Sequence, residues 1–141
     1  FLKDTCCDPG MINEKLRAVD GMGLKIFNAN SASLLETLKM GCAGFSGVMA
    51  NFHPEIYSWL CKNFEKEPEK AKKVQAFLGF ASLAECQVYP VNAKYYLSLE
   101  GVPMGCDCRS KDASAFTLSR RMEIEQMREL TEQFKRDMGI E

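Results

Sequence analysis

The chain has 141 residues, 46% hydrophobic and 26% charged, enough to bury one ordinary core and to read as a single soluble unit. Eighteen lysines and arginines stand against 19 acids, scattered rather than blocked, so no field draws the chain to nucleic acid or to an anionic membrane. No apolar run approaches the roughly 20 residues that cross a bilayer, and no basic leader opens the chain, so a cytoplasmic location is expected.

The chain starts with Phe1 rather than methionine, inside the strand-like "FLKD", and is therefore expected to be a piece of a longer protein. Asp8-Pro9 then offers a side-chain acceptor and a proline at a first helical position, with Ile12, Leu16 and Val19 at helical spacing until Gly21 to Gly23. "LKIFNAN" reads as a second strand. Ser33 with Glu36 has the spacing of a capping box for a helix whose Leu34, Leu35 and Leu38 face inward, stopping near Gly41. "AGFSGVMAN" reads as a third short strand, and His53-Pro54 starts a helix with Ile56, Trp59, Leu60 and Phe64 on one side.

From Pro68 onward the pattern is helical: Ala71 to Cys86, a segment after Pro90 through Leu99, and a long helix from about Ala113 to Met138. In the last of these, Met127, Leu130, Phe134 and Met138 form the predicted apolar stripe. The methionines keep core spacing and read as core filling.

Strand and helix alternate three times over short connections, which predicts parallel strands in repeated βα units. Three such units cannot close a barrel, and an α/β barrel runs to about 250 residues. The expected architecture is therefore the last three βα units of a (β/α)8 TIM barrel over residues 1–67, with a C-terminal helical extension over 68–141. A small open, doubly wound sheet is the alternative.

The seven cysteines are odd in number and sit mostly in apolar or helical contexts, as reduced thiols do. Neither Cys6-Cys7 nor Cys106-Asp107-Cys108 has a zinc or thioredoxin-type gap, and His53 is the one histidine, so no metal site is expected. His53 reads as a helix N-terminal residue at the barrel mouth, and Trp59 as helix core.

In a barrel the C-terminal strand ends build the site. Lys3, Asn28 to Asn30, and Ser46 to Asn51 stand at such ends, so an amine would face small and amide-bearing residues, a lining suited to a small polar substrate. Without further information, Lys3 reads first as a solvated residue at the chain's start.

"FLKDT", "NANSAS", "GCAGFSGVMANFHPEIY" and "YPVNAKYYLSLEG", in this order and spacing, resemble the C-terminal half of the dihydrodipicolinate synthase and N-acetylneuraminate lyase family over nearly the whole chain. The resemblance implies a lysine, here Lys3, that forms a Schiff base with pyruvate or a related 2-oxo acid, an aldehyde as second substrate, a homotetramer, and no cofactor. It implies a backbone contact to pyruvate at Ser46, and a substrate-contacting set of Ser46, Ala29, Asn28, Asn30 and Thr5. An imine withdraws electrons so that a neighbouring C–C bond forms or breaks through an enamine. An amine that is protonated at neutral pH needs an apolar, enclosed position to act, and Phe1 and Leu2 are expected to provide it.

The sequence departs from the family where Asn28-Ala29-Asn30 replaces a stretch that often carries acids, and where Cys6 and Cys7 replace hydroxyl or glycine residues. The family's catalytic tyrosine and threonine-containing turn fall outside these residues. The competing expectation is a non-catalytic, truncated or degenerate relative that serves as a scaffold or assembly subunit.

Overall fold

The computed structural model describes all residues from Phe1 to Glu141. Strand β1 (Leu2–Asp4) is followed by helix α1 (Pro9–Ala18), strand β2 (Ile26–Asn28), helix α2 (Leu34–Met40), strand β3 (Gly44–Phe45) and helix α3 (Pro54–Asn63). Helices α4 (Pro68–Ala81), α5 (Val91–Leu99) and α6 (Leu118–Met138) complete the chain. None of them is long and apolar enough to cross a membrane.

Asp8 caps α1 as its sequence predicts, its Oδ1 accepting from the Met11 N–H at 3.1 Å, with Pro9 in the first turn where a missing N–H costs nothing. Helix α2 differs from expectation: no side-chain cap bond forms at Ser33. Its hydroxyl instead donates to Asn30 Oδ1 at 2.9 Å, so the capping-box spacing is present without the box. At the other end Gly41 adopts φ 111°, a left-handed turn that glycine enters without a Cβ penalty.

The three strands are parallel in the order β1-β2-β3, with Lys3 opposite Phe27 and Asn28 opposite Phe45. Beyond the strands, Ala29 N–H donates to Asp4 O at 2.9 Å and Ser46 N–H to Asn28 O at 2.8 Å, so the strand ends stay tied as they leave the sheet. The third strand is only two residues long. After Gly47 the backbone bonds close locally, Ala50 to Gly47 and Phe52 to Met49, and a 3₁₀ turn (Val48–Asn51) takes the groups that a ladder would have used.

Side chains alternate across a strand, and the sheet separates them cleanly. Asp4 reaches α1 through an ion pair with Lys15, Ile26 packs with Ile12 and Cys42, Asn28 reaches Thr37 of α2, and Phe45 stacks on Tyr57 of α3. Lys3, Phe27 and Gly44 therefore share the opposite face.

One core of 18 buried residues runs from Leu34 and Leu38 through Ile56, Leu60, Val74, Leu78 and Tyr96 to Ile124 and Ile140, joining the βα part to the later helices. Gln75 of α4 reinforces that junction: its Nε2 donates to the Ser31 and Ala32 carbonyls and its Oε1 accepts from the Leu35 N–H at 2.7 Å.

Two helical expectations change. The stretch Ala71 to Cys86 is helical only to Ala81 and starts at Pro68, with Ser82–Cys86 forming a 3₁₀ turn. The last helix begins at Leu118 because Asp112 caps a separate turn at Ala113–Ala115, its Oδ1 accepting from the Ser114 N–H at 2.8 Å, and Thr117 is extended. Leu130 is 61% exposed, and the inward stripe is Ile124, Met127, Thr131, Phe134 and Met138. Thr131 fits that stripe because its hydroxyl donates to the Met127 carbonyl at 2.7 Å.

Candidate active site

The C-terminal ends of β1, β2 and β3 lie on one edge of the sheet, as parallel pairing requires. On the sheet face away from α1, α2 and α3, a cavity of about 200 Å³ is lined by Lys3, Thr5, Cys7, Ala29, Asn30, Val48 and Glu85. Lys3, Thr5, Ala29 and Asn30 come together there from segments that are 24 to 27 residues apart in the chain. Lys3 Nζ makes no hydrogen bond or ion pair within the chain. The apolar enclosure expected around this amine is not what the structure shows: Lys3 is exposed, and Phe1, which was to help cover it, is 87% exposed.

Asp4, next in the chain, points the other way. It is 3% exposed, accepts from the Cys6 N–H at 2.9 Å and pairs with Lys15. Burial pushes its carboxyl up, but the hydrogen bonds from Cys6 and Lys15 outweigh burial and hold it below its ordinary value. The Cys7 backbone takes a left-handed φ of 59°, and its thiol faces the Thr5 carbonyl at 3.6 Å.

The two asparagines have different roles. Asn28 is fully buried, and its Nδ2 donates to Ser33 Oγ at 3.1 Å and Thr37 Oγ1 at 2.9 Å while its Oδ1 accepts from the Asn30 N–H at 2.7 Å. It does not line the cavity; it shapes the loop that does. Asn30 lines the cavity, but its Oδ1 is taken by the Ser33 N–H at 3.0 Å and the Ser33 hydroxyl at 2.9 Å. A backbone N–H only donates, so the atom facing it must be the carbonyl oxygen, and the free end of Asn30 is its NH₂.

Ser46 is half-buried beyond β3. Its N–H is used by Asn28, whereas its carbonyl takes no hydrogen bond within the chain. Gly47, next to it, lies so close to β2 that an added Cβ would stand 2.4 Å from the Ala29 carbonyl oxygen and 2.2 Å from the Phe45 ring. Only glycine fits there.

His53 is not at the mouth. It is 1% exposed, stacked on Tyr57 at 5.5 Å and edge-on to Phe77 at 5.6 Å, with neither ring nitrogen hydrogen-bonded. Burial, with Lys135 adding to it, pushes its imidazole down to about 4. Trp59 is half-buried against the core under the Lys70 ammonium at 4.4 Å. No group of three or more His, Cys, Asp or Glu side chains stands close enough to hold a metal ion.

Sequence reasoning missed Glu85 and Cys7 as lining residues, whereas Val48 falls within the Ser46 to Asn51 segment placed at a strand end. Period-two alternation from Lys3 reaches Thr5 and Cys7, and would have found the last of these. Nothing in the sequence marks Glu85, 82 residues downstream, because a helical core has to fold before it approaches the strand ends.

The sequence model of the dihydrodipicolinate synthetase family matches residues 2–131. Among solved structures, a chloride-inhibited dihydrodipicolinate synthase from Acinetobacter baumannii, complexed with pyruvate, superposes with a TM-score of 0.74 at 18% identity. The match covers 99% of this chain and 45% of that one, so the chain spans under half the length of the solved relative. No curated protein matches the chain significantly.

Proposed function

Because the chain belongs to the dihydrodipicolinate synthetase family, we propose that it is the C-terminal part of a (β/α)8 barrel and carries the nucleophile of a Schiff-base-forming lyase or aldolase. Residues 1–67 are then the last three βα units and residues 68–141 a helical extension. The observation that carries this reading is Lys3, an unpartnered amine at the C-terminal end of a parallel strand, in a cavity shared with Thr5, Ala29 and Asn30.

In the chemistry proposed, the Lys3 amine adds to the ketone of pyruvate or a related 2-oxo acid and water leaves as the protonated imine forms. Loss of a proton from the adjacent carbon gives an enamine, whose carbon attacks an aldehyde; the reverse sequence cleaves the same bond. No cofactor enters. The Ser46 carbonyl, free within the chain, is the proposed backbone contact, accepting from the protonated imine N–H, and Thr5 lines the cavity with Lys3. Asn28 acts through the loop rather than on the substrate. A cytoplasmic homotetramer of the longer protein is part of the same proposal.

Borohydride reduction of the full-length protein in the presence of pyruvate tests it. The expected result is a reduced pyruvyl adduct on Lys3, located by peptide mass spectrometry, and no adduct in Lys3→Arg. An adduct on another lysine, or none, would overturn the assignment and leave the non-catalytic scaffold reading.

A further inference from the structure

We propose that Glu85, contributed by the helical extension rather than by a barrel strand, selects the aldehyde partner: it accepts a hydrogen bond from a hydroxyl of a neutral hydroxyaldehyde and disfavours aldehydes that carry a carboxylate. This rests on the Schiff-base reading of Lys3.

Glu85 lines the same 200 Å³ cavity as Lys3. The segment that carries it is held from several sides. Gln75 of α4, ten residues earlier, is bonded to Ser31, Ala32 and Leu35. The Ala84 carbonyl accepts from Asn92 Nδ2 at 2.6 Å, and Ala84 itself is buried. The Ser82–Cys86 turn also packs against the Val48–Asn51 turn, whose Val48 lines the cavity. Position 85 is thus set by the fold and not by a free loop.

The chemistry at the cavity is complementary. Asn30 offers NH₂ donors only, because Ser33 has taken its carbonyl; Glu85 offers acceptors only; Thr5 offers a hydroxyl. None of these free groups is satisfied within the chain, and Lys3 and Glu85 form no ion pair. A hydroxyl is the ligand group that satisfies both neighbours at once, donating to Glu85 and accepting from Asn30. A second carboxylate brought into the same cavity would meet the charge of Glu85, and like charges at short range raise the cost of binding.

The test uses full-length wild type, Glu85→Gln and Glu85→Ala, with pyruvate and two aldehydes, neutral glyceraldehyde and anionic glyoxylate. The readouts are kcat/KM for each aldehyde and borohydride labelling of Lys3 by pyruvate alone. The expected result is preference for glyceraldehyde in wild type. In both variants the glyceraldehyde-to-glyoxylate ratio should fall about 10- to 100-fold, while pyruvate still labels Lys3. An unchanged ratio with labelling intact overturns the role of Glu85 and leaves the Schiff-base reading standing. Failure of labelling in wild type overturns the reading beneath it, and this inference with it.

Discussion

The Asn28 amide donates to the Thr37 hydroxyl over 2.9 Å, linking the end of β2 to α2 where both residues are fully buried. Thr37 in turn donates to backbone carbonyls of its own helix, so the pair carries the loop on the helix. Replacing Asn28 with alanine leaves the Asn30 N–H without its acceptor and should cost about 2–3 kcal/mol, read from urea unfolding. Its kinetic effect should be equal for every aldehyde. A selective effect would place Asn28 on the substrate.

Asn30→Asp should behave differently. A carboxylate still accepts from the Ser33 N–H and hydroxyl, so the loop is kept, but the cavity loses an NH₂ and gains a charge beside Glu85. The expected outcome is a change of about 5- to 150-fold in the relative kcat/KM among aldehydes, with borohydride labelling of Lys3 by pyruvate still detected. Parallel assays with neutral and anionic aldehydes check it.

His53 predicts an acid-side loss of stability. Its folded pKa is lowered from 6.5 to about 4, so between those values the unfolded chain binds a proton that the folded one does not. Stability is full above pH 6.5, falls as pH drops through this window, and the loss is complete below about pH 4, amounting to about 3 kcal/mol. Lys135 contributes to the shift in the same direction as burial. His53→Phe should flatten the dependence of the urea midpoint between pH 7 and 4.5; an unchanged slope would show that other groups cause it.

Gly47→Ala should be costly out of proportion to one methyl group. The new carbon would overlap the Phe45 ring and the Ala29 carbonyl oxygen, and overpacking of this kind costs about 1–3 kcal/mol. Because Ala29 lines the cavity, labelling of Lys3 by pyruvate should slow as well. A fully stable variant with normal labelling would show that the strand end yields easily.

The strand-helix alternation, the Asp8 cap and the helix start at Pro54 were legible because each is a local matter of spacing and capping residues. Ser33 does not cap because its hydroxyl is taken by two asparagines, accepting from Asn28 and donating to Asn30, which spacing does not reveal. Asn28 and Asn30 look alike in sequence, and period-two alternation alone would put them on one face; the strand ends at Asn28, and the turn that follows, closed by the Asn30 N–H on Asn28 Oδ1, carries Asn30 to the cavity. Leu130 fits a stripe on paper, but Thr131 displaces it inward by satisfying its own hydroxyl. His53 and Glu85 depended on packing between distant helices, to which no local pattern gives access.

The Gln75 clamp bears on how the molecule opens. The Leu35 N–H belongs to the first turn of α2, where helical amides ordinarily face water and exchange with solvent deuterium quickly. Here it donates to a side chain 40 positions later in sequence. Its deuterium uptake should therefore follow the departure of α4 and not the fraying of its own helix. Gln75→Ala would convert a slow amide into a fast one at Leu35, 40 residues from the substitution, giving the loosening of the helical extension from the strand ends a clock of its own.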